Sequence, residues 1–351
     1  MPQPLRVREA AQMVHAGTAP GSPLATQRLR RILALAFLLP LVMLAALWVG
    51  SSRLPPAEIW RALAHPAAGG ITHTIVWDLR LPRVLIAVCV GGGLAVAGAL
   101  LQTLFRNPLV DPYITGVAAG AALAAAVGFS LQIAFAAVPL LAFGGGLACA
   151  AVVALISGNE TVAGNLRLVL AGVAISALCS ALVTLVLLRG GETGGMPILA
   201  WLAGGINGRG WEDLRWTAGY LIAGMGAAFL QVHSLNLLRL GSVPASGLGL
   251  RLQRARWLVL VTASLITAAC VAVSGIVGFV GLMVPHIVRR FISGDARWLL
   301  AGSALAGACV IVVADVLART LLAPTEIPLG VLLALVGVPF FLMLTRRPVE
   351  L

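Results

Sequence analysis

The sequence predicts an all-α bundle that crosses a membrane about ten times, and three observations carry that expectation. Sixty per cent of the 351 residues are hydrophobic and only 10% are charged. At a mean hydropathy of +1.01, a fold in water would have nowhere to hide that apolar surface, so lipid must be part of the solvent. Apolar runs recur along the chain at lengths near the roughly 20 residues that a helix needs to cross hydrocarbon about 30 Å thick. The basic residues fall between those runs instead of forming one stripe with interleaved aromatics. The net charge of +12 is therefore a topology signal and no nucleic-acid footprint.

Residues 1–31 are rich in Pro, Ala, Thr and Arg, with few large apolar side chains, and read as a disordered tail. They lack a short apolar core followed by a small-residue cleavage site, and the run 32–50 is long enough to stay as a span, which argues against a cleaved leader. The second run, 84–105, is charge-free between Arg83 and Arg106. Runs 113–129, 133–156, 168–188 and 217–232 follow; the stretch 196–206 is too short to cross and is expected as a short helix at the outer surface. Residues 257–288 carry no charge; as one helix they would be roughly 48 Å long, too long for one span, whereas two full spans need roughly 40 residues. Ser274-Gly275 supplies the break, giving a span over 257–273 and a short helix over 275–288 that Pro285 helps to end. Runs 298–318 and 327–344 complete the membrane domain, 32–345, before a short tail, 346–351.

Sixteen of the 24 arginines lie on the inner side if the N-terminus is cytoplasmic, a bias that predicts both termini inside. The chain has no lysine. A phosphate-binding P-loop needs one to reach the nucleotide, so any ATP hydrolysis belongs to a partner. No HExxH, nucleophile elbow or metal-ligand cluster is present, and the five histidines are scattered. All five cysteines lie in apolar runs, where they act as small hydrophobes. Neither an enzyme nor a resident cofactor or metal is expected.

Few polar residues lie inside the spans. Asp315 is the one ionisable group there; it is either an ion relay or a structural carboxylate paired to Arg319 one turn on, and the second reading is favoured because pumps string several such groups together. Gly172, Ser176, Ser180 and Thr184 recur at four-residue spacing down one helical face. Such a stripe either lines a water-accessible path or lets helices pack closely. His286 beside Arg289 and Arg290 reads as a helix-end histidine more readily than a haem ligand, since it has no partner ligand.

Three blocks carry a family resemblance. Arg80 to Arg83, then Gly98, Ala99, Gln102, Phe105, Asn107, Pro108, Leu109 and Pro112, follow the pattern RLPR…GAxxQ…FxNPLxxP; Leu238–Gly249 follows LxLGExxAxxLG; Gly275–Arg289 follows GxIxFVGLxxPHxxR. These resemble the FecCD family of ABC-importer permeases for iron chelates, haem and cobalamin. The resemblance implies a homodimer in the bacterial inner membrane, with two ATPase subunits and a periplasmic or surface substrate-binding protein. It implies that Arg80, Arg83 and Arg319 dock the binding protein, and that Leu240, Gly241, Ser242, Leu248 and Gly249 belong to the ATPase coupling loop. Ser242 stands where glutamate is usual. The stripe of Gly172, Ser176, Ser180 and Thr184 would line the path at the dimer axis, and Gly164, Asn165 and Leu166 the cytoplasmic gate, in the loop before that span. The rival class, an ion-coupled secondary transporter, would work through Asp315.

Overall fold

The computed structural model describes residues 23–50, 54–65, 69–158, 163–189 and 191–345, and within them every regular element is helical. The order is α1 (Pro23–Trp48), α2 (Pro56–Ala64), α3 (Ile71–Phe105), α4 (Val117–Ser130), α5 (Val138–Ser157), α6 (Ala163–Arg189) and α7 (Gly191–Leu202). Then come α8 (Trp211–Leu230), α9 (Val232–Arg239), α10 (Ser242–Gly247), α11 (Leu252–Ser274), α12 (Val280–Phe291), α13 (Ala296–Thr320) and α14 (Leu329–Thr345).

Each of the ten apolar runs is helical over most of its length, but the helices differ in reach. Six are long and apolar enough to cross a membrane: Leu24–Trp48, Ile71–Phe105, Phe135–Ser157, Leu166–Arg189, Leu252–Ser274 and Ala296–Thr320. Helices α8 and α9 meet that test together across a 54° bend, and α4 and α14 are shorter apolar helices. Most of the two expected tails lies outside the described residues, except that α1 begins at Pro23, so Arg28, Arg30 and Arg31 ride on helix and not on a disordered segment. Likewise α3 starts at Ile71, thirteen residues before the charge-free run, and its turn Ile75–Arg80 is widened into π geometry. The amphipathic helix α2 is pinned beneath it: Ile59 and Ala62 bury against Val76, and Trp77 Nε1 donates to the Ala62 carbonyl at 2.8 Å.

The centre of the bundle is α3, whose most apolar stretch is 83% buried, against 11% for α1 and 22% for α6. It packs on α8, α11, α12 and α13. Two glycine pairs make that centrality possible. A Cβ built on Gly91 would lie 2.2 Å from the Gly307 carbonyl oxygen, and one on Gly98 would lie 1.8 Å from that of Gly281. Backbone therefore meets backbone where α3 crosses α13 and α12, as small residues permit in membranes.

Pro285 does not end its helix: α12 runs through it to Phe291. A proline inside a helix leaves the carbonyl four residues earlier without its donor, here that of Gly281. The fully buried Gln102 amide of α3 replaces it, donating to Gly281 O at 3.2 Å and Leu282 O at 3.0 Å.

Candidate functional site

The two most distinctive sequence blocks meet at this crossing. Besides the Gln102 bonds, the Tyr113 hydroxyl donates to the Val277 carbonyl at 2.7 Å and accepts from the Val277 N–H at 2.9 Å. Asn107 and Asp111 shape the turn between α3 and α4 by accepting from the N–H groups of Leu109 and Tyr113, both at 2.9 Å. Gln102, Asn107, Asp111 and Tyr113 thus hold the scaffold.

Polar chemistry gathers toward the two ends of α13, a helix about 37 Å long. At one end the Arg83 guanidinium is gripped on both edges. Its Nε and Nη2 donate to Asp315 at 3.0 and 2.9 Å, while Nη1 and Nη2 donate to Glu326 at 3.1 and 2.9 Å. Asp315 is 2% exposed and also pairs with Arg319 Nε at 3.1 Å, the i+4 partner expected from sequence. Two carboxylates therefore balance two guanidiniums, and removing either acid would strand a buried charge.

Arg80 and Arg319, each 5% exposed, are occupied elsewhere. Arg80 Nη1 donates to the Leu47 carbonyl at 2.6 Å, and Arg319 Nη2 to that of Ala46 at 3.1 Å. These carbonyls belong to the last turn of α1, which has no intrahelical donors and carries the negative end of the helix dipole. Of the three arginines expected to dock the binding protein, Arg80 and Arg319 thus brace α1 against α3 and α13, while Arg83 pairs with Asp315 and Glu326. Of the three, Arg83 retains the most exposure, at 14% of its side chain.

Beside Arg83 opens a cleft of about 330 Å³, lined by Arg83, Asp315, Glu326, Asn207, Trp201 and Phe135 among others. Burial acts to raise the Glu326 carboxyl pKa, but the hydrogen bonds and charge of Arg83, with Arg319 and Asn207 assisting, outweigh it and hold the group below the usual range. Sequence reasoning missed Glu326; its signal was an acid next to Ile327-Pro328 at the start of the last apolar run. Arg209 was also missed: it lies over the Phe135 ring, 5.0 Å from the centroid, and donates to the Val273 carbonyl at 2.9 Å.

At the opposite end, α9 and α10 form a compact elbow. Gly241 (φ +107°) and Gly249 (φ +84°) bracket α10 in backbone conformations that favour glycine. Ala245 buries completely, whereas Leu240, Val243 and Leu248 are 57, 81 and 62% exposed. Ser242 opens α10 without capping it. Asn236 of α9 ties the elbow to α13, donating to Asp295 at 3.0 Å and accepting from the Ala296 N–H at 2.9 Å.

The small-residue stripe is split by the structure. Gly172 packs inward, where a Cβ would lie 1.9 Å from the Ile114 carbonyl oxygen, Ser176 is half-buried, and Ser180 and Thr184 are exposed. Gly164 and Asn165 fall in the first turn of α6 and not in a loop before it; their side chains lie outside what is described, and Leu166 is exposed.

Comparison with known proteins places this geometry in context. The model of the FecCD transport family matches residues 38–347. The chain is 40% identical to the hemin transport system permease protein HmuU of Yersinia pestis, over 92% of this chain and 98% of the relative. It is 38% identical to the Fe(3+) dicitrate transport system permease protein FecC of Escherichia coli, over 83% and 89% of the two chains. A solved structure described as an inward-facing metal-chelate type ABC transporter superposes with a TM-score of 0.81 at 32% identity, covering 90% of this chain and 98% of the other.

Proposed function

Because the chain belongs to the FecCD transport family and is a permease subunit of an ABC importer, we propose that it works as a homodimer, with two ATPase subunits and a substrate-binding protein, to move a bulky metal chelate across the bacterial inner membrane. The chelate class is haem, ferric siderophore or cobalamin. Haem is the first to test, since the hemin permease matches over nearly its whole length.

The observation that carries this reading is the elbow of α9 and α10. Exposed Val243 on a short helix, flanked by exposed Leu240 and Leu248 and tied through Asn236 and Asp295 to α13, makes a knob for a soluble partner's cleft. ATP-driven closure of that partner would press on Leu240, Gly241, Ser242, Leu248 and Gly249 and bias a two-state bundle. The sparsely covered α6 fits a second copy, with Ser176, Ser180 and Thr184 toward the central path and Gly172 setting the inward packing. Gly164, Asn165 and Leu166 then stand at its cytoplasmic mouth. The arginine bias supports an orientation with both termini cytoplasmic and the Arg83 end outward.

In this reading binding-protein docking centres on Arg83, with Arg80 and Arg319 bracing α1 beside it. A partner's carboxylate would have to take one guanidinium edge from Glu326, since both edges are filled. The ion-coupled alternative loses its support, because Asp315 is already paired with Arg83 and Arg319 and is no free relay group.

The test is uptake by vesicles holding the chain together with its ATPase and binding protein. Haem or siderophore accumulation should require ATP and the partner ATPase. Uptake by the chain alone under a proton gradient would overturn the assignment.

A further inference from the structure

The end of the bundle that carries the elbow also carries a concentration of positive charge that transport does not explain. Three helices converge there. A Cβ on Gly302 of α13 would lie 2.8 Å from Val288 and 3.0 Å from Ile292, at the end of α12, and 3.3 Å from Ile32 of α1. Immediately beyond that contact stand Arg28 and Arg31 on α1, Arg289 and Arg290 in the last turn of α12, and Arg297 in the first turn of α13. Arg31 stitches two of these helices together by donating through Nη1 to the Phe291 carbonyl.

Like charges carried on helix ends that meet at one junction repel one another unless anions compensate them, and Arg289 also lies near Arg239 of α9. Among the described residues none of these five arginines forms an ion pair with a carboxylate. The acid at hand, Asp295, is committed: one oxygen caps α13 by accepting from the Arg297 N–H at 3.0 Å, and the other accepts from Asn236 at 3.0 Å. Arg31 has a neutral carbonyl for a partner. A general inside-positive bias would spread such residues along the loops; here they converge from three separate parts of the sequence.

The flanking surface narrows the ligand. Leu38 on α1, two turns from Arg31 on the same helical face, is 44% exposed, and Phe291 at the end of α12 is 60% exposed. Apolar side chains that continue outward from a cluster of guanidiniums match a molecule with phosphates at one end and acyl chains at the other. We propose that the junction of α1, α12 and α13 is a binding site for an anionic phospholipid headgroup, best satisfied by the two phosphates of diphosphatidylglycerol. Its phosphates lie across Arg31, Arg290 and Arg297, and its chains run along α1. The lipid supplies the missing counter-charge and clamps the peripheral α1 to the core.

The test uses the intact transporter, purified with its ATPase subunits and stripped of lipid, and counts retained lipid by native mass spectrometry. Wild-type protein should hold diphosphatidylglycerol at roughly tenfold or more lower concentration than phosphatidylethanolamine, since each basic residue near an anionic headgroup contributes measurably. Arg31→Gln with Arg290→Gln should erase that preference. Arg31→Lys with Arg290→Lys should keep most of it, and Arg251→Gln with Arg254→Gln, basic residues at the start of α11, should leave it intact. Thermal stabilisation by the lipid, without matching stabilisation by inorganic phosphate, should follow the same order. Should the junction pair fold poorly, Arg297→Gln alone, on an exposed residue, is read in the same way. The proposal is wrong if wild type shows no preference, if both glutamine pairs weaken it equally, or if phosphate protects as well as the lipid.

Discussion

Gly98→Ala adds a single methyl group at the most crowded point of the bundle. The new Cβ would lie 1.8 Å from the Gly281 carbonyl oxygen, whereas an ordinary C···O contact is about 3.3 Å, so α3 and α12 must part by about 1.5 Å. Gln102, one turn away on α3, would be carried beyond hydrogen-bonding reach of Gly281 and Leu282, now at 3.2 and 3.0 Å. Overpacking costs about 1–3 kcal/mol, and each lost bond about 0.5–1.5 kcal/mol. The better helix propensity of alanine returns about 0.5–1 kcal/mol. The balance is a destabilisation of about 2–4 kcal/mol, a fall in Tm on the order of 5–10 °C. Fluorescence-monitored melting in detergent measures it, with Gly144→Ala as control because no atom lies within 4 Å of that Cβ. If Gly98→Ala melts within about a degree of wild type while Gly144→Ala does the same, the close-approach reasoning is refuted.

Other outcomes follow from the same contacts. Pro285→Ala restores the N–H that Gly281 lacks, so Gln102→Leu should cost less in that background than in wild type; a double-mutant cycle with no coupling would contradict the division of labour. Because the folded Glu326 carboxyl is held below its unfolded value, its contribution is complete above the unfolded pKa and is lost as pH falls through the folded one. Wild type should therefore lose stability below about pH 4.5 more steeply than Glu326→Gln, and parallel acid limbs would sink that account. Val243→Glu, on an 81% exposed residue, should leave melting unchanged yet reduce co-purification of the ATPase; undiminished recovery would clear the elbow of a docking role. A cysteine at Ser180 should react with a water-soluble thiol reagent in at least one nucleotide state, in a background lacking the native cysteines, and complete protection in all states would argue for helix packing instead.

What the sequence made legible was set by the scale of each signal. Apolar runs such as 298–318 announce helices because hydrocarbon demands them, and the i, i+4 spacing of Asp315 and Arg319 foretold their pairing. Helix starts were hidden wherever charge is tolerated by tertiary partners. Asp78 and Arg80 disguise the first turns of α3, yet Arg80 finds the α1 carbonyls. Pro285 looked like a terminator because its compensating donor, Gln102, lies 183 positions earlier in the sequence. For the same reason sequence shows the charge of Arg80 and Arg319 and not the carbonyls of Leu47 and Ala46 to which they donate. Glu326 escaped notice because an acid in a connecting segment has no periodicity to betray it.

The backbone seam between α3 and its neighbours has a mechanical consequence. Side chains at an interface can change rotamer and let two helices slide, but the contacts of Gly91 with Gly307 and of Gly98 with Gly281 contain no rotatable bond to absorb a shift. Such a joint behaves like a keyed shaft: it holds its angle or it disengages. Helices α3, α12 and α13 should then turn as one block through the transport cycle. A push delivered at Asn236 and Asp295 would reach Arg83 undiminished along α13, and deformation would be left to thinly covered helices such as α6, which the proposed path follows.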